Sequence, residues 1–170
     1  EVLSAYEIFE PDTSKTQSLY DLIDGVTVIN LSGYDRTIQN LVVALTLDLF
    51  YTQMHQQGSS KLAGNFRQIS KMILVDEADN FMSQDFESLK KILKEGREFG
   101  VGTILSTQEL THFKTGDNDY STLILSWVIH QVSNIKSQEI KAILNTQSKQ
   151  DEEYFMGQIR KLDKHFSLYV

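Results

Sequence analysis

The chain has no cysteine and a single proline, Pro11, among 170 residues. Without thiols there is no disulfide framework and no thiolate metal site. That lack fits a cytoplasmic protein. No apolar stretch approaches the about 20 residues that a bilayer-crossing helix needs, and no signal peptide is visible. Basic charge is also scarce. Against 23 Asp and Glu there are 16 Lys and Arg, a formal net charge of −7. A stand-alone DNA-binding module is usually basic, because neutralising phosphates supplies much of its affinity, so that class is disfavoured. A ring-shaped motor that holds DNA through a few basic pore loops stays compatible with an acidic total. The chain opens on Glu1 rather than Met, as expected of a piece cut from something longer.

What is present is ordinary for a globular protein: 41% hydrophobic and 23% charged residues, on a length that suits one domain with a real core. Residues 1–23 read as a mixed, polar lead-in. "VTVINLS" (26–32) is β-branched and bounded by Gly25 and Gly33, which predicts a strand. Residues 35–57 predict a helix with Asp35 as N-cap and Ile38, Leu41, Val42, Leu45 and Leu49 on one face. Val43, Leu47 and Phe50 add apolar surface elsewhere, so burial on more than one side is expected. After a loop at 58–65, "KMILVDE" (71–77) has the continuous apolar run of a buried parallel strand. Residues 83–99 predict an amphipathic helix with Phe86, Leu89 and Leu93 inward, stopped at Gly100. A strand (101–108), a polar loop (114–121), a helix (120–126) and a strand (127–133) follow. Helices at 137–145, capped by Ser137, and at 151–162 precede a last strand at 165–170. The alternation predicts an α/β domain with a mostly parallel sheet flanked by helices. Ligands of such sheets bind beyond the carboxyl ends of the strands.

Two acids, Asp76 and Glu77, end the apolar strand 71–77. Neighbouring strand side chains point to opposite faces. One acid can therefore hold Mg²⁺ while the other reaches a water beside a γ-phosphate. A plain strand-to-helix turn, with Asp79 or Ser83 as cap, is the simpler reading of the same residues. Gln108 ends the next predicted strand, where an amide can sense a γ-phosphate or serve only in a turn. Arg97 closes a helix, where it either complements the helix dipole or reaches a neighbouring subunit as an arginine finger.

Together, "ILVDEAD" and "EGREFGVGTILSTQE" resemble the HerA/FtsK-like P-loop ATPases. The matching positions are Asp76–Glu77, Gly96–Arg97 with Gly100–Val101, and Thr107–Gln108. "STLILSWVIHQVSNIKSQEIKAIL" has the look of that superfamily's next strand–helix unit. The resemblance runs over roughly 24–170 and is most specific over 72–108. Within the superfamily it is nearest to the ATPase part of a restriction protein that depends on DNA phosphorothioation. It implies the C-terminal, Walker B-containing part of a RecA-like P-loop NTPase core. It also implies ATP and Mg²⁺ as cofactors, double-stranded DNA as partner, a homo-oligomeric ring (a hexamer), and restriction-system partner proteins. By the same resemblance Asp76 holds Mg²⁺, Glu77 polarises water, Gln108 senses the γ-phosphate and Arg97 serves the neighbour's site. A DEAD-box helicase would carry S-A-T where this chain has Ser106-Thr107-Gln108, so the D-E-A-D spelling of 76–79 is read as coincidence.

The family's phosphate loop, G-x-x-x-x-G-K-[ST], is missing: none of the nine glycines leads to it. "SGYDRTIQN" (32–40) has the strand–loop–helix setting but neither the second glycine nor the lysine. No convergent N–H groups or lysine are then at hand for the phosphates. The expectation is a Walker A loop upstream in a longer parent, and a fragment that binds ATP weakly and does not turn it over. The alternative is a P-loop-like scaffold that lost its cradle and binds a partner protein. His55, His112, His130 and His165 are scattered without ligand spacing. Asp117, Asn118 and Asp119 read as a polar turn or a pore-facing loop. Lys90, Lys91 and Lys94 share a solvated face with Glu87, Glu95 and Glu98. Asn134 and Lys136, after a strand, are candidates to lie near the nucleotide or a neighbouring subunit.

Overall fold

The computed structural model describes residues 12–115, 118–144 and 146–170. The readings for residues 1–11 and for Asp117 fall outside them. In chain order come α1 (Leu19–Leu22), α2 (Arg36–Gln57), β1 (Leu62–Ala63), β2 (Phe66–Arg67), β3 (Lys71–Val75), α3 (Asp79–Met82), α4 (Glu87–Glu95) and β4 (Val101–Leu105). Then follow β5 (Lys114–Thr115), β6 (Asn118–Asp119), β7 (Val128–Ile129), α5 (Ser137–Leu144), α6 (Lys149–Arg160) and β8 (Leu168–Tyr169). The chain divides into two compact units. One runs to Met72 and takes in Phe86–Gly102; the other comprises Ile73–Asp85 and Thr103–Val170.

The protein is mixed α/β, but the expected mostly parallel sheet is not what forms. Among the described residues every sheet has two strands. Only β3 and β4 run parallel, in step with the bonds Ser70 N–H to Gly100 O and Ser106 N–H to Val75 O. β1–β2, β5–β6 and β7–β8 are antiparallel. Two segments account for the difference. Residues 26–31 form no strand, and Val26 and Val28 are 95% and 82% exposed. A β-branched run becomes a strand only when a neighbour accepts its hydrogen bonds and packs its side chains. The segment 127–133 shrinks to β7 and pairs with β8 instead of extending the parallel pair, with Val128 opposite Tyr169.

In the first unit α2 begins as its sequence predicts. Asp35 accepts from the N–H groups of Thr37 and Ile38 at 2.8 and 3.2 Å, a cap worth about 1 kcal/mol. Its buried residues are Ile38, Leu47, Phe50 and Met54. Leu45 and Leu49, expected inward, are exposed. Apolar residues ring this helix, so spacing alone does not choose its inner face. Tyr20 of α1 stacks on Phe50 with ring centroids 5.1 Å apart. Lys71 donates to the Ile23 carbonyl at 3.1 Å. The helix expected over 83–99 starts later, at Glu87, because Asp85 sits at φ 55°, a conformation that interrupts a right-handed helix. Leu89 and Ile92 then face inward beside Ser88, whose hydroxyl donates to Asp48 of α2. Gly100 ends the segment at φ +73°, and a Cβ there would lie 2.5 Å from the Gln68 carbonyl oxygen. Only glycine meets both demands.

The second unit buries Ala78, Met82, Phe113, Tyr120, Trp127, Ile129, Ile135, Ile140 and Ile159. Phe113 and Trp127 meet edge to face at 4.9 Å, a geometry that aromatic quadrupoles favour. The helix expected over 120–126 is a 3-10 turn, Tyr120–Leu123, capped by Asp119. Ser137 does not cap α5. Glu139 does, accepting from the Lys136 N–H at 2.7 Å, the return half of a capping box. The Ser137 hydroxyl donates instead to the carboxylate of Glu152 on α6, a buried acid. Ser148 caps α6 by accepting from Asp151 N–H at 3.1 Å, so that helix opens before 151. No helix among the described residues is long and apolar enough to cross a membrane.

Candidate functional site

β3 delivers the acidic pair. Its five residues end at Val75, and Asp76 and Glu77 lie in the turn that follows. Strand alternation therefore does not separate the two carboxylates. Within that turn Glu77 takes φ +48°. A non-glycine residue in the left-handed region costs on the order of 1–3 kcal/mol, and such residues gather at functional sites. Asp76 Oδ1 accepts from the Glu77 N–H at 3.1 Å. The Glu77 side chain has one long contact, from Asn80 Nδ2 to Oε2 at 3.5 Å. Both acids are exposed, so each keeps oxygen lone pairs open to a cation or a water. Among the described residues no three His, Asp or Glu side chains converge as a metal cage. Mg²⁺ does not require one: one or two carboxylates with water and phosphate oxygens suffice.

The turn is tied to the end of β4. Ser106 N–H donates to Val75 O at 2.9 Å, and Ala78 N–H donates to Ser106 O at 2.8 Å. Asp79 opens α3, and its Oδ1 accepts from the Thr107 hydroxyl at 3.3 Å. Thus 76–79 and 106–108, two of the stretches that carry the resemblance, meet at the carboxyl ends of the parallel pair. That is where an α/β sheet presents ligands. Asp79, one of the two caps that the plain strand-to-helix reading offers, is no side-chain cap.

Gln108 is exposed and lines a cleft of about 920 Å³. The same cleft is lined by Gln131, Asn134, Lys136, Glu139 and Arg160. Asn134 and Lys136, marked by sequence, are therefore brought to the same cavity as Gln108. Arg160 donates to the Ile135 carbonyl at 2.8 Å. Sequence reasoning missed Arg160, which lies in the last turn of α6, a helix that the sequence predicts but marks with no site residue. It also missed His112, whose Nδ1 is 2.6 Å from Thr107 Oγ1. Its closeness to T-Q along the chain was the only available signal. Arg97 is exposed, past the end of α4, in the compact unit that does not contain Asp76, Glu77 and Gln108.

The remaining histidines have local roles. His130 faces the Phe166 carbonyl at 3.4 Å, and His165 sits at φ 73°. His55, in the last turn of α2, is 3.2 Å from Glu95 Oε2. The same oxygen accepts from the Tyr51 hydroxyl at 2.8 Å, which raises the Tyr51 phenol above its ordinary value; desolvation and the Glu95 charge add to the shift. Glu87 and Lys91 pair at 3.9 Å on an exposed face, as their spacing predicts. Set against known proteins, the chain matches no protein-family model and no curated relative.

Proposed function

We propose that this chain carries the acid-and-sensor half of the ATP site of a HerA/FtsK-like DNA motor. The observation that carries the reading is the strained Glu77 at φ +48°, in a turn hydrogen-bonded to the strand end bearing Thr107–Gln108. A bland strand-to-helix connection has no need of a glutamate in that conformation, since glycine or asparagine fits it at lower cost. Exposed oxygens on both acids support the roles that the resemblance implies. Asp76 would hold Mg²⁺, and Glu77 would orient and polarise the attacking water. Gln108, on the cleft wall, would read the γ-phosphate. Arg97 would serve a neighbouring subunit's site in a ring. ATP with Mg²⁺ supplies the phosphoryl group; these residues supply position and charge, which is most of what phosphoryl transfer asks of a protein. The finer fold reading, the Walker B part of a RecA-like core, belongs to this proposal, with a Walker A loop supplied from outside residues 24–170.

On this reading the full gene product forms a homo-oligomeric ring in the cytoplasm and acts on double-stranded DNA. Its setting would be a restriction system directed by DNA phosphorothioation, with that system's proteins as partners. The test is ATP hydrolysis by the full gene product with and without double-stranded DNA. DNA-stimulated turnover supports the motor. No turnover under any DNA condition favours a partner-binding scaffold.

A further inference from the structure

Thr107 and His112 bond to each other across the four residues 108–111, and Asp79 bonds to the same Thr107 oxygen. The three side chains close the base of the loop whose residues 108–111 form one wall of the cleft. The direction of the bonds follows from proton counting. A threonine hydroxyl has one proton to give, and a carboxylate only accepts. The hydroxyl gives its proton to Asp79 Oδ1 at 3.3 Å. His112 Nδ1, 2.6 Å from the same oxygen, completes the chain as a donor in its Nδ1–H tautomer. In the other tautomer the hydroxyl would turn to Nδ1, and its 3.3 Å approach to Asp79 would carry no proton. Nδ1 is also 3.9 Å from Asp79 Oδ1, and Nε2 is 4.0 Å from Glu109 Oε2. The histidine thus stands between two acceptors.

We infer that His112, Thr107 and Asp79 form a directed hydrogen-bond chain, Nδ1–H to Oγ1 and O–H to carboxylate, that staples the Gln108 loop to the turn carrying Asp76 and Glu77. All three are positioning residues. Their work is to hold Gln108 in register with the acidic turn, so that a shift of one is felt by the other. The hydrogen-bond chain stands on geometry alone; its effect on turnover rests on the ATP-site reading above.

Two measurements test it. The first is the ¹⁵N histidine spectrum of the protein, with His112 assigned from a His112→Gln sample, at a pH where imidazoles are neutral. The staple predicts an Nδ1–H imidazole that loses this preference in Thr107→Val. An Nε2–H imidazole in the unmodified protein overturns the chain. The second is ATP hydrolysis by the full gene product, with Glu77→Gln as reference. Thr107→Val should lower kcat about tenfold or more with KM for ATP held within about twofold, as misplacement of a positioned group does. Thr107→Ser, which keeps the hydroxyl, should restore it. If Glu77→Gln abolishes turnover while Thr107→Val matches the unmodified protein, the staple's role is refuted and the ATP site stands. If Glu77→Gln changes nothing, the ATP site itself falls and the staple's role in turnover falls with it.

Discussion

Replacing Glu77 by glycine should make the protein more stable than replacing it by alanine. At φ +48° any residue with a Cβ meets the following carbonyl, at roughly 1–2 kcal/mol. Glutamate and alanine both carry that cost, and glycine does not. Glycine also gives back about 0.5–1 kcal/mol through its freer unfolded chain. The Glu77 side chain contributes little to offset the strain, because it is exposed and its one contact, from Asn80, is 3.5 Å long, beyond good hydrogen-bond range. The balance favours Glu77→Gly over Glu77→Ala by about 1 kcal/mol, or roughly 2–4 °C in Tm for a domain of this size. Thermal melts of the two variants, checked by urea midpoints, provide the assay. A glycine variant that melts with or below the alanine variant would show that the backbone is not strained there. Strain at Glu77 would then no longer point to a functional role for this turn.

Three further outcomes follow from the packing. Ser137→Ala strips the buried Glu152 carboxylate of its hydroxyl donor and should cost about 1–3 kcal/mol by chemical denaturation; Glu152→Gln in the same background should recover part of it. Gly100→Ala adds a Cβ 2.5 Å from the Gln68 carbonyl at φ +73°, so a loss of about 2 kcal/mol or more is expected in urea unfolding. The raised Tyr51 phenol binds its proton more tightly in the folded state than in the unfolded one. Its contribution is complete below the ordinary tyrosine value of about 10 and is lost as pH rises through the folded value. Tyr51→Phe should therefore flatten the alkaline decline in stability, read from melts across that range.

Local chemistry was legible in the sequence where one residue settles it. Asp35 capping α2, Gly100 ending the α4 segment and the Glu87–Lys91 pair each need only near neighbours. The apolar runs at β3 and β4 are equally plain. Pairing was not legible. β7 prefers β8 across about 40 residues of chain, and nothing in either segment names its partner. The buried side of α2 depends on what packs against it, and a helix apolar all round does not announce that. The charge of Glu77 is plain in the sequence, but its left-handed backbone has no signature in the letters. His112 looks no different from the other histidines, because a hydrogen-bond staple has no spacing rule of its own.

The most direct test of the ATP-site account is the full gene product carrying Glu77→Gln, assayed for bound ATP and for turnover on double-stranded DNA. ATP should still be bound while hydrolysis is lost, since the amide keeps the shape but cannot polarise water. Turnover equal to that of the unmodified protein would contradict it.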